Sequence, residues 1–513
     1  MLPVTATREP VTVPASDADV RRRIRRMRVA AVGRVDPSSV YCVLLAIVMA
    51  GVLVGRPLGA VVWPAEAGGP SVPVLVGAAL VLLAFLNVLR RTGPLVVTRA
   101  DATWLLVAPV RRRALLTPAL LLTVFTAVVV GGLVGLAVAG RVAGRPAGDT
   151  AFAAGLAGGA AAGLLLVLLA VRCQQCPGTG RVVDRLTGAV AAALVVGAAV
   201  ERLAGGYAPP GAVLPPASIV LVVAATVLPL AAAALVGIWW QLDGWPTHRI
   251  VEAAATTGSY ADAVYAIEPS FLAEQGARRY WRRRAGIRSS RLLRARRVPP
   301  LVAQDLLHVA RRPGRLPWLI GTAMVPALVV DGPAWLMAAT VLVGALAAAS
   351  ITGEATHADA SNPATLRLLG LTARRVYGQR LVVPTGVAVL WGALALGVAQ
   401  VAGDLSGPWW ALGVAAGPAA AVAALYRARA SASSIGTIFI DTPVGAFPSG
   451  VLLWLVNGVD VVAVLALPTV ISLFTARAPE ALDWSAVLTQ AAVSVAGCLV
   501  PLFRRSTART VGL

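Results

Sequence analysis

Apolar residues along this chain do not recur every three or four positions, as they do in a helix that buries one face and wets the other. They run on through windows of about 18 residues or more, separated by short segments carrying arginine, glycine and proline. Runs of this kind predict helices that are apolar on every side. About 20 residues rising 1.5 Å each cross a hydrocarbon layer of roughly 30 Å. The pattern predicts an all-α, polytopic membrane protein of about twelve transmembrane helices. They cover residues 38–62, 71–89, 115–140, 151–171, 186–200, 212–240, 316–330, 334–352, 381–401, 409–425, 450–474 and 484–503. Spans five and seven are short, and read as thin or tilted helices, re-entrant segments, or helices whose ends lie elsewhere.

The polar segments between the spans fix an orientation. With the N-terminus inside and the segments alternating, the outside segments hold only Arg56, Arg141, Arg145, Arg202 and Arg477 of the 45 basic residues. The positive-inside rule then places both termini and the arginine-rich loops in the cytoplasm of a multi-pass protein of the cytoplasmic membrane. The longest polar stretch, 241–315, divides the chain into a first bundle of six spans (1–240), an arginine-rich linker (241–300) and a second bundle of six spans (301–513).

The two bundles echo one another. Ala102-Thr103 precedes Leu105-Leu106 and Arg111-Arg112 after span two. Ala364-Thr365 precedes Leu368-Leu369 and Arg374-Arg375 after span eight. Both bundles begin inside, so they are parallel six-helix repeats related by an axis along the membrane normal. Thr98 with Asp101 makes a capping box, and Asn362-Pro363 reads as an Ncap–N1 helix start. Pro109 and Gly370 close the two segments. Each repeat thus presents a short cytoplasmic helix with leucine on one side and arginine at its end, either a helical loop turn or a lever for a cytoplasmic partner.

Composition narrows the chemistry. Hydrophobic residues make up 58% of the chain and charged residues 13%, about half the charged share of a soluble protein. The formal net charge of +22 would suggest nucleic acid in a soluble chain. Here the charge lies in membrane-flanking loops, where it meets anionic lipids. Only Tyr280 and Trp281 offer stacking within the basic stretch, so no nucleic acid is expected. No lysine occurs anywhere, which excludes a Walker A loop and a Schiff base. Cys42 and Cys498 lie in apolar spans. Cys173 and Cys176 have the spacing of a metal or redox pair but lack further ligands nearby, so no metal is expected. The first apolar run is too long for a cleaved signal and reads as a span.

The paired short helices, the topology and the missing nucleotide site resemble permeases of the type-2 ABC exporter superfamily, and actinobacterial membrane proteins of that build. The resemblance implies an amphipathic helix before the first span of each half, for which 19–34 and 301–313 are candidates. It implies coupling helices at Asp101, Thr103, Leu105 and Leu106 and at Pro363, Thr365, Leu368 and Leu369. Such permeases usually have six spans and dimerise, so this chain resembles a fused pair. The resemblance further implies cytoplasmic ABC ATPase subunits as partners. ATP and Mg would be bound by those partners, with no cofactor and no catalytic residue in this chain.

Other residues carry alternatives. Asn457 and Asp460 fall within span eleven, where an ionisable group is costly and marks a functional candidate. They motivate an ion-coupled secondary transporter; a break near Gly458 that exposes them to water is the structural alternative. A non-transport membrane scaffold is the third reading. Glu354, His357 and Asp359 cluster after span eight without sharing one helical face. Asp305 is expected to pair with Arg311 or Arg312 and fix its helix to the interface. Gly131, Gly132, Gly135 and Gly140 in span three predict close helix packing.

Overall fold

The computed structural model describes residues 72–95, 97, 111–143, 149–204, 216–248, 250–255, 298–312, 315–430, 439–442, 445–448, 458–475 and 481–503, with Arg22, Arg26 and Ser290 besides. In the first half, the apolar runs form α1 (Val72–Thr92), α2 (Arg112–Ala143), α3 (Asp149–Gln175), α4 (Pro177–Leu203) and α5 (Ala217–Gln241). The second half opens with α6 (Pro300–Ala310), α7 (Leu316–Leu328) and α8 (Ala334–Ala349). A 3-10 turn, Ser350–Thr352, carries α8 into α9 (Gly353–Ser361), followed by α10 (Pro363–Leu368). Then come α11 (Ala373–Ala402), α12 (Trp409–Ala430), α13 (Val459–Leu465), α14 (Leu467–Thr475) and α15 (Trp484–Phe503). A short antiparallel hairpin, β1 (Phe439–Thr442) with β2 (Gly445–Pro448), stands between α12 and α13.

Nine helices among the described residues are long and apolar enough to cross a membrane: α1 to α5, the α8–α9 run, α11, α12 and α15. The chain is a multi-pass helical membrane protein. Its outer surface agrees with lipid as solvent, since Leu121, Phe125, Leu230 and Leu390 are each more than 60% exposed. Span one lies outside the described residues. Span five is not short: α4 has 27 residues, because Pro177 at its first turn starts the helix well before the apolar stretch. Span seven remains short at 13 residues. Span eleven is in two pieces, α13 and α14, and its described part begins at Gly458.

Small residues decide how closely the spans approach. Between α2 and α3 the backbones touch: a Cβ at Gly131 would overlap the carbonyl of Gly159, and one at Gly135 the carbonyl of Gly155. A Cβ at Gly132 would press on the Leu156 side chain, with the Leu156 carbonyl farther off at 4.0 Å. Gly392 and Gly413 make the same backbone contact between α11 and α12. The Ala-rich α12 is the most enclosed span, packed by α8, α9, α11, α13 and α15. Trp391, inside α11, satisfies its indole N–H on Thr322 Oγ1 of α7 at 3.1 Å.

The halves meet where α1 and α4 pack against α7. Val76, Val195 and Ala198 form a buried cluster with Met324, Val325 and Leu328 against it. At the same junction Arg202, in the last turn of α4, pairs with Asp331 and donates to the Ala402 carbonyl at 3.1 Å.

Candidate functional site

The most exposed apolar side chain in the described chain is Leu368 (89%), and its neighbour Leu369 is 65% exposed. Both belong to α10, a six-residue helix that carries no buried residue. Local chemistry makes it a defined hook. Pro363 occupies the first turn, and Asn362 is the N-cap, without a side-chain cap bond. At the other end Gly370 takes φ +67°. Its N–H bonds the Arg367 carbonyl while Leu371 N bonds the Leu366 carbonyl, closing a Schellman turn. Thr365 is exposed on the same hook. The partner positions Asp101, Thr103, Leu105 and Leu106 lie outside the described residues.

The hook is held from behind by buried charge. Arg380 on α11 is 1% exposed and its guanidinium meets three acceptors. Nε donates to Asp359 Oδ2 at 2.7 Å, Nη2 to Gln304 Oε1 at 3.0 Å, and Nη1 pairs with Asp305 Oδ1. On α9, Glu354 Oε1 accepts from Arg312 Nη1 and Arg315 Nη2, each at 2.6 Å, and Oε2 meets His308 Nε2 at 3.2 Å. Arg315 Nη1 also donates to the Ile351 carbonyl at 2.8 Å. The helices on either side of α10 are thereby tied to α6, whose first turn also donates to α11, from Leu301 N to Gln379 Oε1 at 3.3 Å.

Asp305 therefore does not pair with Arg311 or Arg312. Those residues stand six and seven positions along, beyond the reach of an i,i+4 pair, and Arg311 is already the C-cap of α6. Arg312 pairs with Glu354 instead. The pairing of Asp305 with Arg380 spans 75 residues of sequence and has no local signal. The polar cluster after span eight is engaged through Glu354 and Asp359, on two different partners.

Asp305 is 0% exposed and its Oδ2 has no hydrogen-bond partner. Burial pushes its carboxyl from an ordinary 3.8 up to about 6, against the opposing pull of Arg380; Asp359 raises it further and His308 lowers it. The folded protein therefore binds more protons at this group than the unfolded chain between those values. Its stabilising contribution is complete below about pH 4 and is lost as pH rises through about 6. Measured against Asp305→Asn, the parent should lose relative stability across pH 4 to 6; a stability difference independent of pH would contradict this.

Asp460 lies in the first turn of α13, exposed, and its Oδ1 accepts the Gly458 N–H at 2.8 Å. Gly458 (φ +89°) lies against the Cβ of Arg427 in the last turn of α12, at the arginine-bearing end of that span. Asn457 lies outside the described residues.

Cys173 is buried in the last turn of α3, and Cys176 is the N-cap of α4; both are free thiols. At that end Arg90 pairs with Asp184 at 3.0 Å. At the start of α2, Arg113 stacks on Trp239 and Trp240 with its guanidinium 4.6 and 4.7 Å from the ring centroids. Among the described residues no group of three or more His, Cys, Asp or Glu is placed to hold a metal ion.

The model of one protein family, described as a family of unknown function (DUF6297), matches residues 65–434. No curated protein and no solved structure matches the chain.

Proposed function

We propose that the chain, which belongs to the DUF6297 family of unknown function, is the permease subunit of an ATP-driven exporter whose separate ATPase subunits dock on α10. The observation that carries this reading is the hook itself. An isolated six-residue helix with two leucines in solvent has no reason to persist unless something covers it. A partner pressing on Leu368 and Leu369 would move α9 and α11 together, because Arg380, Asp359 and Glu354 bind both helices to α6. Force applied at the arginine-rich face would thus reach the membrane through α8 and α11.

In this reading that face is cytoplasmic and the chain has about twelve spans in two parallel six-helix repeats. ATP and Mg are bound by the partner, and anionic lipid lies against the surrounding arginines. The repeat is supported by the glycine-mediated contacts of α2 with α3 and of α11 with α12, which occupy the third and fourth places of each half. A leucine-bearing segment at 105–106 would supply the second docking point.

The test is capture from native membranes. The tagged chain should retain a nucleotide-binding subunit, and Leu368→Asp with Leu369→Asp should reduce that retention at least tenfold while the chain stays monodisperse. An intact complex without any nucleotide-binding subunit, or full retention by the doubly substituted chain, would exclude the reading.

A further inference from the structure

Span eleven is divided between α13 and α14 at Ala466 (φ −102°, ψ 18°), inside a stretch with no charge after Asp460. Pro468 accounts for one missing donor, since it has no N–H for the Val464 carbonyl. It does not account for the next bond. In an unbroken helix Thr469 N would donate to Leu465 O. Here Thr469 N donates to Gln490 Oε1 at 3.1 Å, and Gln490 Nε2 donates to Leu465 O at 2.9 Å. The carboxamide of a neighbouring span has entered a single bond of the ladder, accepting from one side and donating to the other.

The fit is complete. Oε1 also accepts from Thr469 Oγ1 at 2.9 Å, and the second Nε2 proton goes to Ser494 Oγ at 2.9 Å. All four hydrogen-bonding places of the carboxamide are filled. Ser494 Oγ donates to the Ala415 carbonyl of α12 at 2.6 Å. Gln490, Thr469 and Ser494 are each 0% exposed. Away from water, backbone groups freed by a break need such partners, and a side chain inserted in the ladder is a recognised cause of a kink.

We propose that span eleven is a two-state helix, divided while the Gln490 carboxamide occupies the Thr469–Leu465 bond and continuous through that bond when it withdraws. The two pieces share α8 and α15 as neighbours, and α13 alone also packs on α12. Withdrawal of one side chain on α15 thus changes the angle between the two pieces, only one of which is held by α12. The inference is independent of the exporter reading.

Spin labels at Val459 and Phe474, both partly exposed, test it in the full chain in lipid nanodiscs after replacement of the native cysteines. Fifteen residues of unbroken helix span about 22 Å. The parent should give the distance of a bent pair, and Gln490→Met should shift it to that of the continuous helix. Pro468→Ala, with Gln490 retained, should keep the parent distance. If Gln490→Met does not fold, Gln490→Asn, one methylene too short to bridge both sides, carries the same expectation. A Gln490 variant with the parent distance, or Pro468→Ala alone adopting the continuous one, would overturn the proposal.

Discussion

Arg380→Met should be the most damaging single substitution on the arginine-rich face, lowering stability by about 3–5 kcal/mol. The figure follows from what is left behind. Asp305 is wholly buried, with one oxygen already lacking a partner, so loss of the guanidinium strands a charge in an apolar setting. Asp359 loses its cation in the same step. Arg380→Lys should recover little, because a single ammonium cannot meet Asp305, Asp359 and Gln304 with the geometry of a planar fork. The double variant Arg380→Met with Asp305→Leu should recover most of the loss, since removing both charges is far less costly than removing one. Denaturant unfolding in detergent, followed by tryptophan fluorescence, measures all three. A loss below about 1 kcal/mol for Arg380→Met would show that the pair is not the clamp described here.

The same pair shows where sequence reading ends. Span twelve was legible to the residue, 484–503, because tryptophan and arginine bracket a run without charge. The hook was legible too, since Asn362, Pro363 and Gly370 act through the local backbone and local backbone preferences are written in short motifs. What holds the hook was not. Arg380 and Asp305 lie in separate segments, and each has nearer residues of opposite charge; only the packing of α6 on α11 selects this pair.

The ends of span five lie elsewhere for a related reason. Asp184 and its neighbouring arginines ended the apolar window, yet a helix continues past the hydrocarbon edge when polar residues find partners, as Asp184 does with Arg90. Span eleven hides the opposite feature. Its run after Asp460 carries no charge, yet it is divided at Ala466, where Gln490 from another helix bridges the break. In a membrane chain apolar length predicts that a segment crosses, while the polar residues that decide its shape sit on its neighbours.

Glycine substitutions in α2 and α3 should separate by what each added carbon meets. Gly159→Leu and Gly131→Leu should each lower stability by at least about 1–3 kcal/mol, the usual cost of overpacking, because the obstacle is the facing backbone and cannot rotate away. Gly158→Ala should cost less than Gly159→Ala, one position away, since its new carbon meets only a methyl of Val220, which can shift. Gly188→Ala and Gly197→Ala on α4 face open space and should be neutral or stabilising by up to about 1 kcal/mol, as alanine is the better helix former. The order therefore follows the neighbour rather than the residue type. Where α2 and α3 meet, Ala127, Gly131, Gly135, Gly155, Gly159 and Gly163 put no large side chain between them, so close backbone approach supplies dispersion and Cα–H···O contacts. The measurement is the unfolding midpoint of each variant in the same detergent. Equal midpoints for Gly159→Ala and Gly188→Ala would mean that the two backbones do not touch.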